Sequence, residues 1–419
     1  MGELRVLVVL ASFPDRELAR PRTWFAGAPD ARMDRLVAYF DEVSSGRLHL
    51  VPHLGGPRVV LPSPRASYVN QPARLAADAL AAFAAAATDD ADRAALANAP
   101  ALVVFFAGTG RESHVDAGDP GDPWSNYTAL MPPRLGFADA VVVAEDEVPP
   151  FSNFGVLCHE FGHLLGLPEL YATGGAPQEG IGVWGLMGQG TWLGKGDAPP
   201  QMDAWSKQAL GWVDVETVDA DARGVALPAV ERTPRVVRIP VVGGDAREYY
   251  LLENRQRLGA DASLPGAGIL VWHVDERASG FRTSQNDLRR PLLRLVQADG
   301  TSDLERGHRA GGNRGDAGDP WNGPPRWRVG LARALGAAGA VTVLTGILRL
   351  VRGPRVVPVA LRLVVGLAVL AGAGAVARGP TCGPETPGMA PNDGAPGRVT
   401  LSGFSSPGVD MAVDVRIAR

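Results

Sequence analysis

Residues 158–169 read Cys-His-Glu-Phe-Gly-His-Leu-Leu-Gly-Leu-Pro-Glu, and this stretch constrains the fold and the chemistry of the chain most strongly. On an α-helix, His159 and His163 lie one turn apart and project from the same face. Two imidazoles at this spacing can bind one zinc ion, and Glu160 between them lies beside the metal, where a general base acts. The pattern predicts a helix that carries two zinc ligands and a catalytic glutamate.

The residues after this helix supply candidates for a third metal ligand. Gly166 permits a sharp turn, and Glu169 falls six residues beyond His163, where the metzincin pattern has its third ligand, normally a histidine. A carboxylate can also bind zinc. The competing candidate is Glu179, sixteen residues beyond His163, as in zincins with a distant glutamate. The spacing favours Glu169 and leaves Glu179 open.

Other residues near the motif have both a functional and a structural interpretation. Met187 lies in the sequence Trp-Gly-Leu-Met-Gly at 184–188, which is typical of a Met-turn beneath the metal ligands, although it could simply fill the core. Tyr171 could hydrogen-bond to an oxyanion, and His273 could approach the active site. A structural role is favoured for both, as is an ordinary buried thiol for Cys158. For the histidine motif itself, the combined pattern favours a metal site over two ordinary core histidines.

Composition excludes several classes of protein. The 419 residues are enough for two or three domains, and 46% apolar with 21% charged residues is ordinary for a globular chain. A net charge of −4 argues against a basic nucleic-acid-binding protein. Cys158 and Cys382 are too few for a disulfide framework. The apolar run Val6–Ala11 is too short for a signal peptide and predicts a buried strand instead.

Hydrophobic periodicity predicts alternating helices and strands in the first half of the chain and a β-rich pattern from 212 to 299. The glycine-rich run 174–196 is predicted to be a loop. The predicted helices are Met33–Val43, Arg74–Ala97, Phe154–Leu167 and Pro200–Leu210. The predicted strands are Leu4–Leu10, Ala101–Ala107, Val141–Ala144, Val236–Val242, Glu248–Glu253, Gly268–Val274, Pro291–Gln297, Val399–Phe404 and Asp410–Ile417.

Residues 326–378 differ from the rest of the chain because they contain eight arginines and no acidic residue. Two uncharged segments, 334–348 and 363–377, flank a turn at Gly353-Pro354. With snorkelling arginines at their ends they approach the length needed to span a bilayer. One hypothesis is a helical membrane hairpin over 329–378. The alternatives are a soluble or membrane-surface helical pair and a biased stretch that arises from a shifted reading frame.

Beyond the zinc motif, the chain resembles the immune inhibitor A-like family of secreted bacterial zinc metalloendopeptidases. The resemblance extends in the family's order over most of residues 1–325. The segments that carry it are Phe13-Pro14-Asp15, Tyr39–Gly46 (YFDEVSSG), His159–Tyr171 (HEFGHLLGLPELY), Gly182–Trp192 (GVWGLMGQGTW), Ala204–Lys207, Leu210–Trp212, Tyr250–Arg255 (YLLENR), Gly268–Glu276 (GILVWHVDE), Gln297–Gly300 and Gly315–Trp321.

The resemblance implies an α+β fold and a domain order. A metzincin-like catalytic domain over 1–215 would precede a β-rich subdomain over 216–325, an apolar arginine-flanked insert over 326–379, and closing strands of the β-rich subdomain over 380–419. It also implies a secreted or cell-surface protein, tethered to a membrane if the insert spans one. No signal peptide or propeptide is recognised in this chain.

The resemblance also implies site residues. It makes His159 and His163 zinc ligands and Glu160 the catalytic glutamate, with one catalytic zinc ion and with proteins or peptides as substrates. The family commonly has aspartate where this chain has Glu169, which weakens that assignment relative to the histidines.

Three functions remain to be compared. The favoured one is a zinc-dependent metalloendopeptidase in which Glu160 activates a zinc-bound water. A non-catalytic surface or binding protein on the same scaffold is disfavoured by the intact general base. A hydrolase of a non-peptide substrate is the third. Calcium is a further candidate ligand for the acidic, glycine-rich stretch that contains Asp299, Asp303, Asp316 and Asp319, although solvated turn residues are the favoured interpretation there.

Overall fold

The structure is a computed structural model that describes residues 2–113, 121–173, 178–241, 245–278, 280, 283–287, 290–323 and 399–417. The strands of the described residues are β1 (Gly2–Ser12), β2 (Leu48–Val60), β3 (Ala101–Thr109), β4 (Asn126–Arg134), β5 (Phe137–Asp146), β6 (Asp214–Thr217), β7 (Ala222–Pro228), β8 (Arg235–Pro240), β9 (Glu248–Arg255), β10 (Gly268–Asp275), β11 (Leu293–Leu295), β12 (Val399–Ser402) and β13 (Asp410–Ile417). The helices are α1 (Arg22–Phe25), α2 (Arg32–Val43), α3 (Pro72–Ala86), α4 (Asp90–Asn98), α5 (Phe154–Leu164), α6 (Ala204–Ala209) and α7 (Asp303–Arg306).

The first sheet has the strand order β2-β1-β3-β5-β4. Its first four strands are parallel, and β4 is antiparallel to β5. The central strands β1 and β3 are continuous apolar runs because both faces of a parallel sheet are covered. Val6–Ala11 and Ala101–Ala107 are accordingly buried along their whole length. The strands predicted at these positions are confirmed.

Helix boundaries depend on capping residues that periodicity does not reveal. The single helix predicted over Arg74–Ala97 is wrong: α3 and α4 are separate, because the Asp89 side chain accepts the Asp92 N–H and begins a new helix. The helix predicted from Pro200 begins at Ala204, because Asp203 is its N-cap. The predicted loop 174–196 contains two 3₁₀ helices, Gly182–Trp184 and Gln189–Gly196.

The second sheet has the order β11-β10-β9-β8-β6, and a third has the order β12-β13-β7. Alternation along β9 places one set of side chains in each of two cores. Tyr249 and Leu251 belong to a core that is continuous with the first sheet. Tyr250 and Leu252 pack instead in a second core, shared with the third sheet. The second sheet therefore lies between two apolar cores.

The protein is thus a mixed α/β molecule with several sheets. The whole of the arginine-flanked insert predicted over 326–379 lies outside the described residues, so the membrane hairpin stays a prediction. None of the helices described above has the length and apolar character needed to cross a bilayer.

Candidate metal centre

Helix α5 brings the two histidines of the sequence motif together with Glu169. The His159 and His163 rings are perpendicular, with centroids 4.7 Å apart. Their Nε2 atoms lie 3.3 Å and 3.2 Å from the two carboxylate oxygens of Glu169. All three side chains are buried, and their ligand atoms lie within 4.8 Å of one another. This is a cluster of two imidazoles and one carboxylate that could hold a metal ion.

The end of α5 explains how Glu169 reaches the histidines. Gly166 has a φ of +95°, which favours glycine. The Gly166 N–H donates to the His163 carbonyl, and the Leu167 N–H donates to the Gly162 carbonyl. These bonds form a Schellman motif, which ends the helix and reverses the chain. The short segment after Gly166 therefore returns along the helix and places the Glu169 carboxylate against both rings.

Each histidine is oriented through its other ring nitrogen. Nδ1 of His159 lies 3.0 Å from the Leu186 carbonyl oxygen and 2.9 Å from Thr191 Oγ1. Nδ1 of His163 lies 2.8 Å from the Leu167 carbonyl oxygen. Because a carbonyl oxygen only accepts, Nδ1 must carry a hydrogen in each ring. This fixes both Nε2 atoms toward Glu169, the arrangement found for metal-binding histidines.

The electrostatics of the cluster favour a positive charge beside Glu169. Burial opposes protonation of His159, but the hydrogen bond and charge of Glu169 outweigh it and raise the His159 pKa to about 9. Burial likewise favours the neutral form of Glu169, yet the two histidines hold the pKa of its carboxyl well below the usual range. The three groups form a site whose charges are balanced only with protons or a cation present.

Glu160 faces the cleft beside this cluster without belonging to it. The Tyr127 backbone N–H donates to Glu160 Oε2 over 2.5 Å. Burial raises the pKa of the Glu160 carboxyl above its ordinary value, although the neighbouring histidines oppose the shift. Glu160 therefore has the position and the chemistry of a proton acceptor next to the candidate metal site.

Close packing under α5 depends on two glycines. A β-carbon on Gly162 would lie 2.5 Å from Met187 Sδ, so the glycine lets the buried methionine approach the helix. A β-carbon on Gly155 would lie 2.0 Å from the Thr191 carbonyl oxygen. The segment that carries Met187 and Thr191 thus packs directly against the backbone of α5 and supports the His159 ring.

A cleft of about 420 Å³ opens over the site. Edge strand β4 begins at its wall with Asn126. The Tyr171 ring lies with its centroid 6.2 Å from that of His159. The described residues that line the cleft include no lysine or arginine; they are Glu112, Trp124, Ser125, Asn126, Val156, His159, Glu160, Glu169, Tyr171, Gly188, Gln189, Thr191 and Trp192.

Several other sequence candidates lie away from the cluster. The Glu179 carboxylate accepts the His308 N–H at 3.1 Å and lies 3.3 Å from Arg314 Nε, so the structure brings Glu169 rather than Glu179 to the histidines. In the second sheet, the buried His273 side chain lies 3.0 Å from Glu248 Oε1. Cys158 is a buried thiol whose pKa is raised by burial.

The acidic stretch proposed for calcium is only partly assembled. Ligand atoms of Asp299, Asp303 and Asp316 lie within 4.8 Å of one another, and the three residues are exposed or half-buried. Asp319 instead accepts the Trp184 indole N–H at 2.8 Å. Calcium binding here stays a prediction.

Sequence reasoning missed three contributors to the site: the Thr191 side chain, the Tyr127 backbone N–H and Glu112 in the cleft wall. Thr191 lies in the glycine-rich run, where only the neighbouring Met-turn sequence points to the site. Tyr127 lies in β4, whose alternation is interrupted by two prolines, Pro132 and Pro133. Glu112 follows a buried strand, a position from which residues often reach a cleft.

Comparison with known proteins supports a metallopeptidase domain. Residues 134–213 match the family described as immune inhibitor A peptidase M6, catalytic domain, which confirms the resemblance to the immune inhibitor A family. The matched segment includes helix α5, Glu169 and Met187.

Individual relatives match over short segments. The chain is 34% identical over 94 residues to the pre-pro-metalloprotease PrtV of two Vibrio cholerae strains, which is 20% of this chain and 10% of that protein. It is 30% identical over 150 residues to immune inhibitor A of Bacillus thuringiensis subsp. alesti, which is 30% of this chain and 22% of that protein. The chain thus spans less than a quarter of each relative.

Proposed function

We propose that this chain, which resembles the immune inhibitor A peptidases around its His–His–Glu cluster, is a zinc-dependent metalloendopeptidase that hydrolyses peptide bonds of protein substrates. In this proposal His159, His163 and Glu169 bind the zinc ion and Glu160 is the general base. The observation that carries the proposal is the buried His–His–Glu cluster at the base of an open cleft, with Glu160 beside it.

The donor set suits zinc. Two imidazole nitrogens and one carboxylate are the protein ligands of many catalytic zinc sites, which keep a fourth position for water or substrate. The carbonyl and hydroxyl groups at the two Nδ1 atoms are the outer partners that such ligands usually have. Bound zinc would supply Lewis-acid polarisation of the scissile carbonyl and a more acidic water.

The residues of the chain then move the protons. Glu160 accepts a proton from the attacking water as its oxygen bonds to the carbonyl carbon, and delivers that proton to the leaving amine as the C–N bond breaks. The Tyr127 N–H holds one oxygen of Glu160 and leaves the other for this exchange. A pKa raised by burial makes Glu160 a better proton acceptor than an exposed glutamate.

The fold also offers a way to bind an extended peptide. Strand β4 is at the edge of the first sheet, and it begins at the cleft wall next to Glu160. A peptide added to such an edge is held mainly by its backbone, which suits a protease that acts on many proteins. In this proposal the substrates are proteins or peptides, and the enzyme acts outside the cell or at its surface.

The test compares the parent protein with Glu160→Gln, using an unfolded protein as substrate and measuring bound zinc in both. We expect the variant to retain zinc and to lose about 10²- to 10⁴-fold in kcat, the usual contribution of a general base. Glu216→Gln, on exposed strand β6, is the matched surface control and should cleave at the parent rate. Equal cleavage by Glu160→Gln would refute this role. If zinc binds and the parent shows no cleavage, a non-catalytic binding protein becomes the better hypothesis.

A further inference from the structure

The wall of the cleft contains a pair of carboxyl groups that the proposed mechanism does not use. Glu112 lies in the 3₁₀ turn Arg111–Ser113, where its Oε2 accepts the Ser125 N–H at 3.2 Å. Its Oε1 is buried, and within the described part of the chain it has no hydrogen-bond donor. Behind it, the Glu147 side chain is 1% exposed, and both of its oxygens lack a donor among the same residues.

The backbone at Gly110 keeps these two groups together. A β-carbon there would lie 2.3 Å from Glu112 Oε1 and 2.8 Å from Glu147 Oε1. Both oxygens therefore occupy the space that any other residue at position 110 would fill. Other acidic side chains nearby are already neutralised: Asp146 is paired with Arg20, and Asp122 with Arg65. Among the described ion pairs, none includes Glu112 or Glu147.

Burial raises the pKa of both carboxyl groups, and Glu112 is the member of the pair that faces the cleft. Burial, followed by the charge of Glu112, raises the pKa of Glu147 to about 10, so Glu147 is protonated at neutral pH. Its hydroxyl can then donate to Glu112 Oε1. Any negative charge of the pair therefore belongs to Glu112.

The surroundings of Glu112 are suited to a cationic side chain from the substrate. Trp124 lies beside it in the cleft wall, and an indole face can cover the stem or the charge of a cation. Arg111 lies over this ring, with its guanidinium carbon 6.0 Å from the ring centroid. A guanidinium or ammonium group that reaches Glu112 would form a charge-assisted hydrogen bond.

We propose that Glu112 is a specificity-determining residue that selects peptide substrates with an arginine or lysine side chain close to the scissile bond. This inference rests on the proposed peptidase function. A calcium ion is a weaker candidate for the same position, because calcium needs six to eight oxygen ligands. The described residues offer two carboxylates here and no third acidic group close enough to complete a metal cluster.

The first experiment cleaves a mixture of peptides with the zinc-loaded parent and maps the new termini. We expect arginine and lysine to be enriched at one position within a few residues of the cleavage site. A matched pair of peptides that differ only by arginine or citrulline there should differ about 10- to 100-fold in kcat/KM, the range expected for a hydrogen bond between charged groups. In Glu112→Gln this ratio should fall to near one, because the arginine peptide loses its charged partner.

Glu147→Gln is the matched control, because it removes a neighbouring carboxyl but keeps a neutral donor for Glu112. The arginine preference should persist in it. Loss of the preference in Glu147→Gln but not in Glu112→Gln would overturn the assignment, and so would cleavage with no enrichment of basic residues. Calcium binding that is lost in Glu112→Gln and abolishes the preference would assign the carboxylates to a metal instead.

A binding measurement separates this inference from the peptidase proposal. Calorimetric titration of the arginine and citrulline peptides into Glu160→Gln needs no turnover. We expect the arginine peptide to bind about 10-fold more tightly. Selective binding without cleavage by the parent would refute the peptidase proposal alone. Cleavage without selective binding would refute only the role of Glu112.

Discussion

Glu169 and Glu179 both follow the histidine motif in the sequence and both are buried, but their carboxylates have different partners. Glu169 contacts both histidines, whereas Glu179 is paired with Arg314. We expect Glu169→Gln to weaken zinc binding by more than about 100-fold, since even the outer partners of metal ligands are worth 10- to 100-fold. Glu179→Gln should bind zinc like the parent. Competition with a chelator of known affinity measures both, and the opposite ranking would identify Glu179 as the ligand.

At the scale of single residues, the sequence predicts some members of the site better than others. The helical spacing predicts that His159 and His163 share a face, because one turn of helix relates them. Glu169 is reached only through the chain reversal at Gly166, for which the sequence supplies a permissive residue but no geometry. Thr191 and Leu186 contact His159 from a distant segment. No local pattern encodes such a contact, so it could not be predicted.

Glycine lets helix α5 pack closely against the segment beneath it. Replacing such a glycine with alanine should therefore change stability in the direction opposite to that expected from helix propensity alone. Alanine is favoured over glycine inside a helix by about 1 kcal/mol. A β-carbon on Gly155 would, however, lie 2.0 Å from the Thr191 carbonyl oxygen, which belongs to backbone and cannot rotate away. We expect Gly155→Ala to lower the free energy of unfolding by about 1–3 kcal/mol, as overpacking does.

Urea unfolding of the metal-free protein measures this change. Gly408→Ala is the control, because a β-carbon there meets no heavy atom within 4 Å. It should leave the unfolding midpoint unchanged. A stabilised Gly155→Ala would show that the Thr191 segment can move away from α5 without cost.

Within the first sheet, the strands that could be predicted are the central ones. β1 and β3 are uninterrupted apolar runs, and such runs are typical of parallel strands with both faces covered. β2 and β4 were missed, and both are edge strands that contain proline. An edge strand tolerates residues that cannot donate to a neighbour, so its sequence looks like a loop.

In the molecule as a whole, a buried arginine joins the second sheet to the segment beneath the candidate metal centre. Arg255 at the end of β9 donates to the Trp184 carbonyl at 3.1 Å and to Asp261 at 2.6 Å, and lies 3.2 Å from Glu253. We expect Arg255→Met to lower the free energy of unfolding by about 3–5 kcal/mol, because two buried carboxylates lose their counter-charge. Urea unfolding measures the change. Arg247→Met, at an exposed ion pair, should show no change; equal effects would mean that the buried pairing contributes little.

The division of the chain into domains is the part of the fold that the sequence predicts least well. The change from mixed to β-rich pattern near residue 215 is visible in the periodicity. The apolar core nevertheless continues from β1 and β3 to Leu251 and Trp272 in the second sheet. Composition does not reveal which face of a strand joins which core, so the boundary at 215 and 216 stays a prediction.

Strands β12 and β13 of the third sheet follow residues 324–398 in the sequence, and β13 pairs with β7. Trp321 stacks on Phe404 with ring centroids 5.3 Å apart, and the Gly323 N–H donates to the Ser405 carbonyl at 2.9 Å. The described residues on either side of 324–398 are therefore neighbours in space. Because the entropy of closing a loop grows only with the logarithm of its length, a junction of this kind accepts inserts of very different size. The three sheets should therefore tolerate a shorter or a longer connection in place of residues 324–398.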